Sequence, residues 1–274
     1  MKSTLKKELT WDVKSQPLKT IMGIESNRKM NLRNDNNEPL AVVSKNYKVF
    51  TNSQLIKLCK GIERLGRFHL EGFEEFRGGK LVLAFIRNNQ PGLKLAGLEL
   101  KEHLVIGNSF DGTRQMFIGS SHVLCRCENQ FSSIVPMRKF RHVAGSDFTK
   151  ETLELIKTTY EHERKRLFYQ LENLKSKKVT EKLVDEMIIY LLNNDKEVPD
   201  DLRKMELIHS LKGHELKSSI IKETKDLGMN AFGLFNGVTW YTSHELKSNI
   251  SNFGNTHGVA SELNQKALEF CSVL

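Results

Sequence analysis

The chain has 274 residues, 39% hydrophobic and 27% charged, a balance that fits a globular protein and excludes wholesale disorder. No apolar run approaches the roughly 18 to 20 residues that span a bilayer, and the lysine-bearing start Met1–Glu8 leads into no apolar segment, so neither a membrane span nor a secretion signal is expected. Net charge is +9 and lopsided: residues 1–150 hold 25 Lys and Arg against 14 Asp and Glu, while residues 151–274 hold 17 against 19.

The first 39 residues are polar and read as an irregular N-terminal arm, with the turn-forming run Asn31–Pro39 at its end. Ala41–Ser44 then reads as a short strand, continued by Tyr47–Phe50. Thr51 or Asn52 caps a helix over Ser53–Leu65, where Leu55, Ile56, Leu58, Cys59 and Ile62 recur at helical spacing. Phe68–Phe76 alternates imperfectly, Gly78-Gly79 supplies a tight turn, and Lys80–Ile86 is a strand. Leu98–Ile106 reads as another, followed by a turn over Gly107–Gly112. Met116–Ile118 and Val123–Cys127 read as two further strand pieces. Short strands joined by Gly, Asn and Asp turns point to an antiparallel sheet.

The pattern changes near Ser146. Asp147 or Thr149 caps a long helix over Lys150–Leu174, with Leu153, Ile156, Tyr160, Leu167, Leu171 and Leu174 on one side and mixed charges on the other. Helices follow over Thr180–Leu192, 202–226, Met229–Tyr241 and Ser261–Leu274. The predicted class is therefore α+β: an arm (1–39), an antiparallel sheet core with one helix (40–145), and a helical part (146–274) that packs on the sheet.

Motifs for chemistry are sparse. His122, Cys125 and Cys127 are zinc-ligand types. On a strand, however, 125 and 127 share a face that 122 does not, and no second cysteine pair lies nearby. The four cysteines are Cys59, Cys125, Cys127 and Cys271; their uneven spacing gives no disulfide framework and reads as reduced thiols in a cytoplasmic protein. There is no phosphate-cradling GxxxxGK[ST], no GxGxxG, no G-x-S-x-G and no H-E-x-x-H. No cofactor and no metal are expected.

The positive candidates are basic. Arg138, Lys139, Phe140 and Arg141 follow one another at the exit of the sheet. Arg64, Arg67, Arg77, Lys80 and Arg87 surround the Gly78-Gly79 hairpin, and Arg114 and Arg126 come from neighbouring strand segments. Cations contact phosphates in any base sequence, and exposed rings stack on bases, as single-strand binding requires. The alternative for each is a solvated arginine or a core ring.

These stretches resemble a family of bacterial prophages, phages and plasmids catalogued as domain of unknown function nine hundred and thirty-two. The resemblance runs through Leu9–Val13 with Pro17-Leu18, Val42–Asn52, Gly78–Ala84, Leu104–Gly112 and Val123–Asn129, then Arg141-His142 before the long helix. Where the family continues Cys-Glu-Asn with Thr, this chain has Gln130, which makes Cys127 the matching cysteine. The family carries no established activity. Its mobile-element setting implies work in replication, recombination or counter-defence, and its order of elements is similar to that of phage single-strand annealing proteins.

The leading expectation is thus a non-catalytic, oligomeric protein that binds and anneals single-stranded DNA. One alternative is an anti-restriction or anti-defence factor that binds a host protein. Another is a metal-dependent nuclease, for which Glu99, Glu102, Asp111 and Glu128 are the available carboxylates.

Overall fold

The computed structural model describes residues 5–91, 93–95, 98–124, 129–143, 147–193, 197–246 and 259–274, with backbone alone for 95, 98–100, 121–124 and 129–137. The fold is α+β, antiparallel strands first and helices second. Strands β1 (Val13–Lys19), β2 (Glu25–Arg33) and β3 (Pro39–Ser44) form a three-stranded meander. After helix α1 (Asn52–Glu63) come β4 (Phe68–Phe76), β5 (Leu81–Asn88), β6 (Leu93–Leu95), β7 (Leu98–Ser109), β8 (Met116–Leu124) and β9 (Asn129–Phe140). They make a second sheet in the order β4-β5-β7-β8-β9, with β6 paired to β7.

The N-terminal arm is therefore not irregular, since β1 and β2 lie within it. The sequence hides them because their outward faces are solvated: across both strands only Val13, Asn31 and Leu32 are buried. Tyr47–Phe50 lies outside any strand, because Ser44–Tyr47 turns the chain away from β3. The two pieces expected at Met116–Ile118 and Val123–Cys127 are one strand, β8, as far as Leu124; Cys125, Arg126, Cys127 and Glu128 lie outside the described residues. Strand β9 was not legible as a strand because it carries Pro136. It pairs on one side with β8, through two register shifts, so a residue without an N–H is tolerated there.

Strand β5 is buried on both faces. Val82, Ala84 and Ile86 join Leu104, Ile106 and Ile118 against α1 and the first half of helix α2 (Phe148–Ser176). Leu81, Leu83 and Phe85 join Val105 and Phe117 on the other face. Asp12, just before β1, ties the small sheet to α1: its carboxylate accepts from the backbone N–H groups of Asn52 and Ser53, capping α1 from outside, while Thr51 and Gln54 close a capping box. Gly79, at φ +89°, lies under Trp11, where a Cβ would come within 2.7 Å of the ring.

A second apolar core lies among α2, α3 (Glu181–Leu192), α5 (Leu211–Leu227), α6 (Ala231–His244) and α7 (Val259–Val273), with α4 (Asp201–His209) between α3 and α5 in the chain. The helix expected over 202–226 is two, because Ser210 ends α4 and caps α5 through Gly213 N–H. Helix α6 is buried nearly all round, and Gly237 lets it cross α5 closely. Helix α2 serves both cores: Phe148, Ile156 and Tyr160 belong to the first, Leu171 and Leu174 to the second.

Candidate nucleic-acid interface

Register fixes which side chains meet. Leu81 pairs with Ser109, Gly107 with Phe117 and Met116 with Phe140, so the β4–β5 turn, the β7–β8 loop and the C-terminal end of β9 share one end of the large sheet. Of the eleven residues nominated from sequence, Arg77, Lys80, Arg114, Arg138, Lys139 and Arg141 lie at this end. Arg64, Arg67 and Arg87 lie at the opposite end, where Phe68 pairs with Asn88. Arg126 is outside the described residues. Phe140 is 5% exposed, edge-on to Phe148 in the core, and so offers no face for a base to stack on.

The two ends differ in what holds their cations. At the far end Arg67 is bound to Glu161 at 2.8 Å and to the Ile156 carbonyl, and Arg87 lies 3.4 Å from Glu71. Beside them Arg164 donates to Glu102 at 2.6 Å, and Glu102 also accepts from Tyr160 and Asn88. Glu102 is 2% exposed. This network ties α2 to the sheet and leaves the cations little freedom to receive phosphate. Glu102 lies inside β7 and Asp111 in the loop beyond its last residue, Ser109, so seven strand steps, about 23 Å at the rise of a strand, separate Glu102 from the start of that loop and these two carboxylates do not meet.

At the near end Arg138 lies 3.2 Å from Glu151. For Lys139 and Arg141, both exposed, no described carboxylate lies within ion-pair distance, and the same holds for Lys48. Asp111 is the acid closest to the loop. Burial would push its carboxyl up, but hydrogen bonds from Ser109 and Thr113 and the charge of Arg77 hold it below its ordinary value. It is thus an anion already committed to the loop's own donors.

Two cavities adjoin at this end. One, of about 340 Å³, lies between Lys48, Arg141, His142 and the start of α2 at Asp147–Thr149. The other, of about 320 Å³, lies between Tyr47, Arg114, Gln115 and the same Arg141-His142-Val143 stretch. His142 borders both and is 7% exposed. Its ring stacks on Tyr47 at 4.6 Å, and Tyr47 is anchored by its hydroxyl to the Ser109 carbonyl. His142 Nδ1 lies 3.1 Å from the Lys48 carbonyl. A carbonyl only accepts, so Nδ1 carries the hydrogen and the other nitrogen, Nε2, is the acceptor of the neutral ring. Burial, partly opposed by that hydrogen bond, pushes the imidazole below its ordinary value. Nε2 has no partner among the described residues.

Sequence reasoning found Arg114, Lys139 and Arg141 but missed Lys48, Tyr47 and Thr149. Lys48 and Tyr47 arrive through the loop after β3, and Thr149 through the turn into α2. The one signal was alternation: with Phe140 facing inward, His142 two residues on faces inward too.

The geometry defines an α+β protein with cations gathered around two clefts at one sheet end. The chain belongs to the family described as Domain of unknown function (DUF932), whose profile matches residues 39–266. The match starts at the first residue of β3, so β1, β2 and the Leu9–Val13 stretch lie outside it. No curated protein and no solved structure matches the chain. No helix among the described residues is long and apolar enough to cross a membrane.

Proposed function

We propose that this protein binds single-stranded nucleic acid, DNA foremost, in the manner of an annealing or recombination protein of a mobile element working in a bacterial cytoplasm. The observation that carries the reading is the convergence of Lys48, Arg114 and Arg141 around two adjoining clefts, with Arg77, Lys80 and Lys139 on the same sheet end. Phosphate binding dominates the affinity of such surfaces and reads no base sequence. With Phe140 in the core, and with Phe50 and Phe148 buried where they border the first cleft, Tyr47 is the partly exposed ring at the clefts, so backbone contact outweighs stacking.

The test is fluorescence anisotropy with labelled single- and double-stranded oligonucleotides across a salt series. Single strands bind more tightly, and affinity falls steeply with salt. Replacing Lys139 and Arg141 together by Ala lowers the salt slope by about 1.4, at roughly 0.7 per lost single-strand phosphate contact. Affinity that is flat in salt, or no binding at low salt, refutes the reading.

One observation favours a second reading, an anti-defence factor that holds a host protein. The β1–β2 turn exposes Ile21, Met22 and Ile24 to solvent, and apolar groups gathered at a hairpin tip suit a protein partner. A host protein that co-purifies with the wild type and is lost on Ile21→Asp, with DNA binding absent from both, selects it. Self-association, which the annealing reading requires, is checked by light scattering.

A further inference from the structure

We propose that the cleft at the start of α2 is a subsite for a phosphate monoester, the terminal phosphate of a nucleic-acid strand. The source of the monoester rests on the nucleic-acid reading; the chemistry of the subsite does not.

The argument begins with donors. Helix α2 is 29 residues long, and its first turn opens on the cleft. The Asp147 carboxylate caps Lys150 N–H, leaving the Phe148 and Thr149 N–H groups without an acceptor among the described residues. Unsatisfied N–H groups and the positive end of the helix dipole together favour an anion. Lys48 and Arg141 border the same space and neutralise its charge. The cleft's apolar side is Phe50, Met116 and Phe148, all buried, which sharpens the field of those cations.

His142 then separates a monoester from a diester. It is an independent feature: a ring more than nine-tenths buried, its Nδ1 hydrogen bound to a backbone carbonyl and its Nε2 without a partner among the described residues. Such an Nε2 calls for a hydrogen from the ligand. A phosphodiester has none to give. A monoester ionises a second time near pH 6, so near that pH a large share of it carries a P–O–H group that donates to Nε2, and at neutrality the mostly dianionic monoester takes up one proton from solvent as it binds. Alternatively the proton passes to Nε2 and the imidazolium donates to the dianion. Either way one proton lies between the two groups and no bond to phosphorus changes. The second cleft shares Arg141 and His142 with the first and presents Asn46, Gln115 and Arg114, placed for the nucleoside and the next phosphodiester of the strand.

The experiment compares a 15-residue oligothymidylate carrying a 5′-phosphate with the same strand ending in a 5′-hydroxyl, both labelled at the 3′ end. Thymidine monophosphate and inorganic phosphate serve as competitors. The wild type binds the phosphorylated strand about tenfold more tightly, the size of one charge-assisted hydrogen bond. Arg141→Ala and His142→Gln both erase the preference. Arg141 is exposed, so its variant decides the matter should the buried His142 variant fold poorly. Equal affinity for the two strands overturns the subsite while leaving the nucleic-acid reading intact, and so does a preference that survives Arg141→Ala. Calorimetric binding of thymidine monophosphate, lost in Arg141→Ala, with neither strand bound upholds the subsite, assigns the monoester to free nucleotides, and refutes the nucleic-acid reading.

Discussion

At the scale of the residue, burial decides what a charge can do. Glu102 is enclosed, and Arg164, itself only 10% exposed in its side chain, is the cation that compensates it. Arg164→Met keeps much of the volume but strands the carboxylate, which costs about 3 kcal/mol or more. Urea unfolding of the two proteins at neutral pH checks this, and a loss under 1 kcal/mol would show Glu102 to be compensated elsewhere. His142 gives the complementary case. Its folded value lies below the ordinary 6.5, so the unfolded chain takes up the proton first as pH falls. The contribution of a neutral ring is therefore full above about pH 6.5 and is lost on the way down to the depressed folded value. Tm measured at pH 7.5 and 5.5 drops more for the wild type than for His142→Gln; equal drops would mean the ring titrates alike folded and unfolded.

At the scale of the element, what was legible in the sequence was what local chemistry dictates. The Thr51 cap, the Asp147 cap, the Gly78-Gly79 turn and the apolar stripe of α2 all stand where spacing puts them. What was hidden depends on partners distant in sequence. β1 and β2 show little alternation because few of their residues on either face are buried, β9 is masked by Pro136, and the split of α4 from α5 turns on a single serine. Six of the ten nominated basic residues share one sheet end, and the division followed strand register, which no stretch of sequence displays. The α5–α6 crossing is likewise invisible locally. A Cβ at Gly237 would lie 2.4 Å from the Ile220 Cα, a backbone atom. Gly237→Ala gains about 1 kcal/mol of helix propensity, yet overpacking costs about 1 to 3 kcal/mol. Thermal unfolding is expected to show a net loss; a stabilised variant would mean that the helices can part without penalty.

At the scale of the whole molecule, the charge imbalance between the two parts of the chain has a place in the structure. The excess cations of residues 1–150 include Lys48, Arg77, Lys80, Arg114, Lys139 and Arg141, all at one sheet end. The helical part carries a slight acidic excess and contributes the start of α2 to this end. A field of this kind speeds the encounter with a polyanion as well as holding it, so the salt dependence of the association rate belongs beside that of the affinity.

That long helix also limits how such a protein can be reshuffled. Phe148, Ile156 and Tyr160 complete the core under the sheet, while Leu171 and Leu174 complete the one among the helices. A recombination junction near residue 146, where the composition changes, would hand the sheet a foreign helix and strip Phe50 and Phe140 of Phe148, the ring both meet edge-on. Exchange of modules between relatives would therefore have to cut inside α2, between Tyr160 and Leu171, where neither core is divided. The two parts are expected to be inherited together.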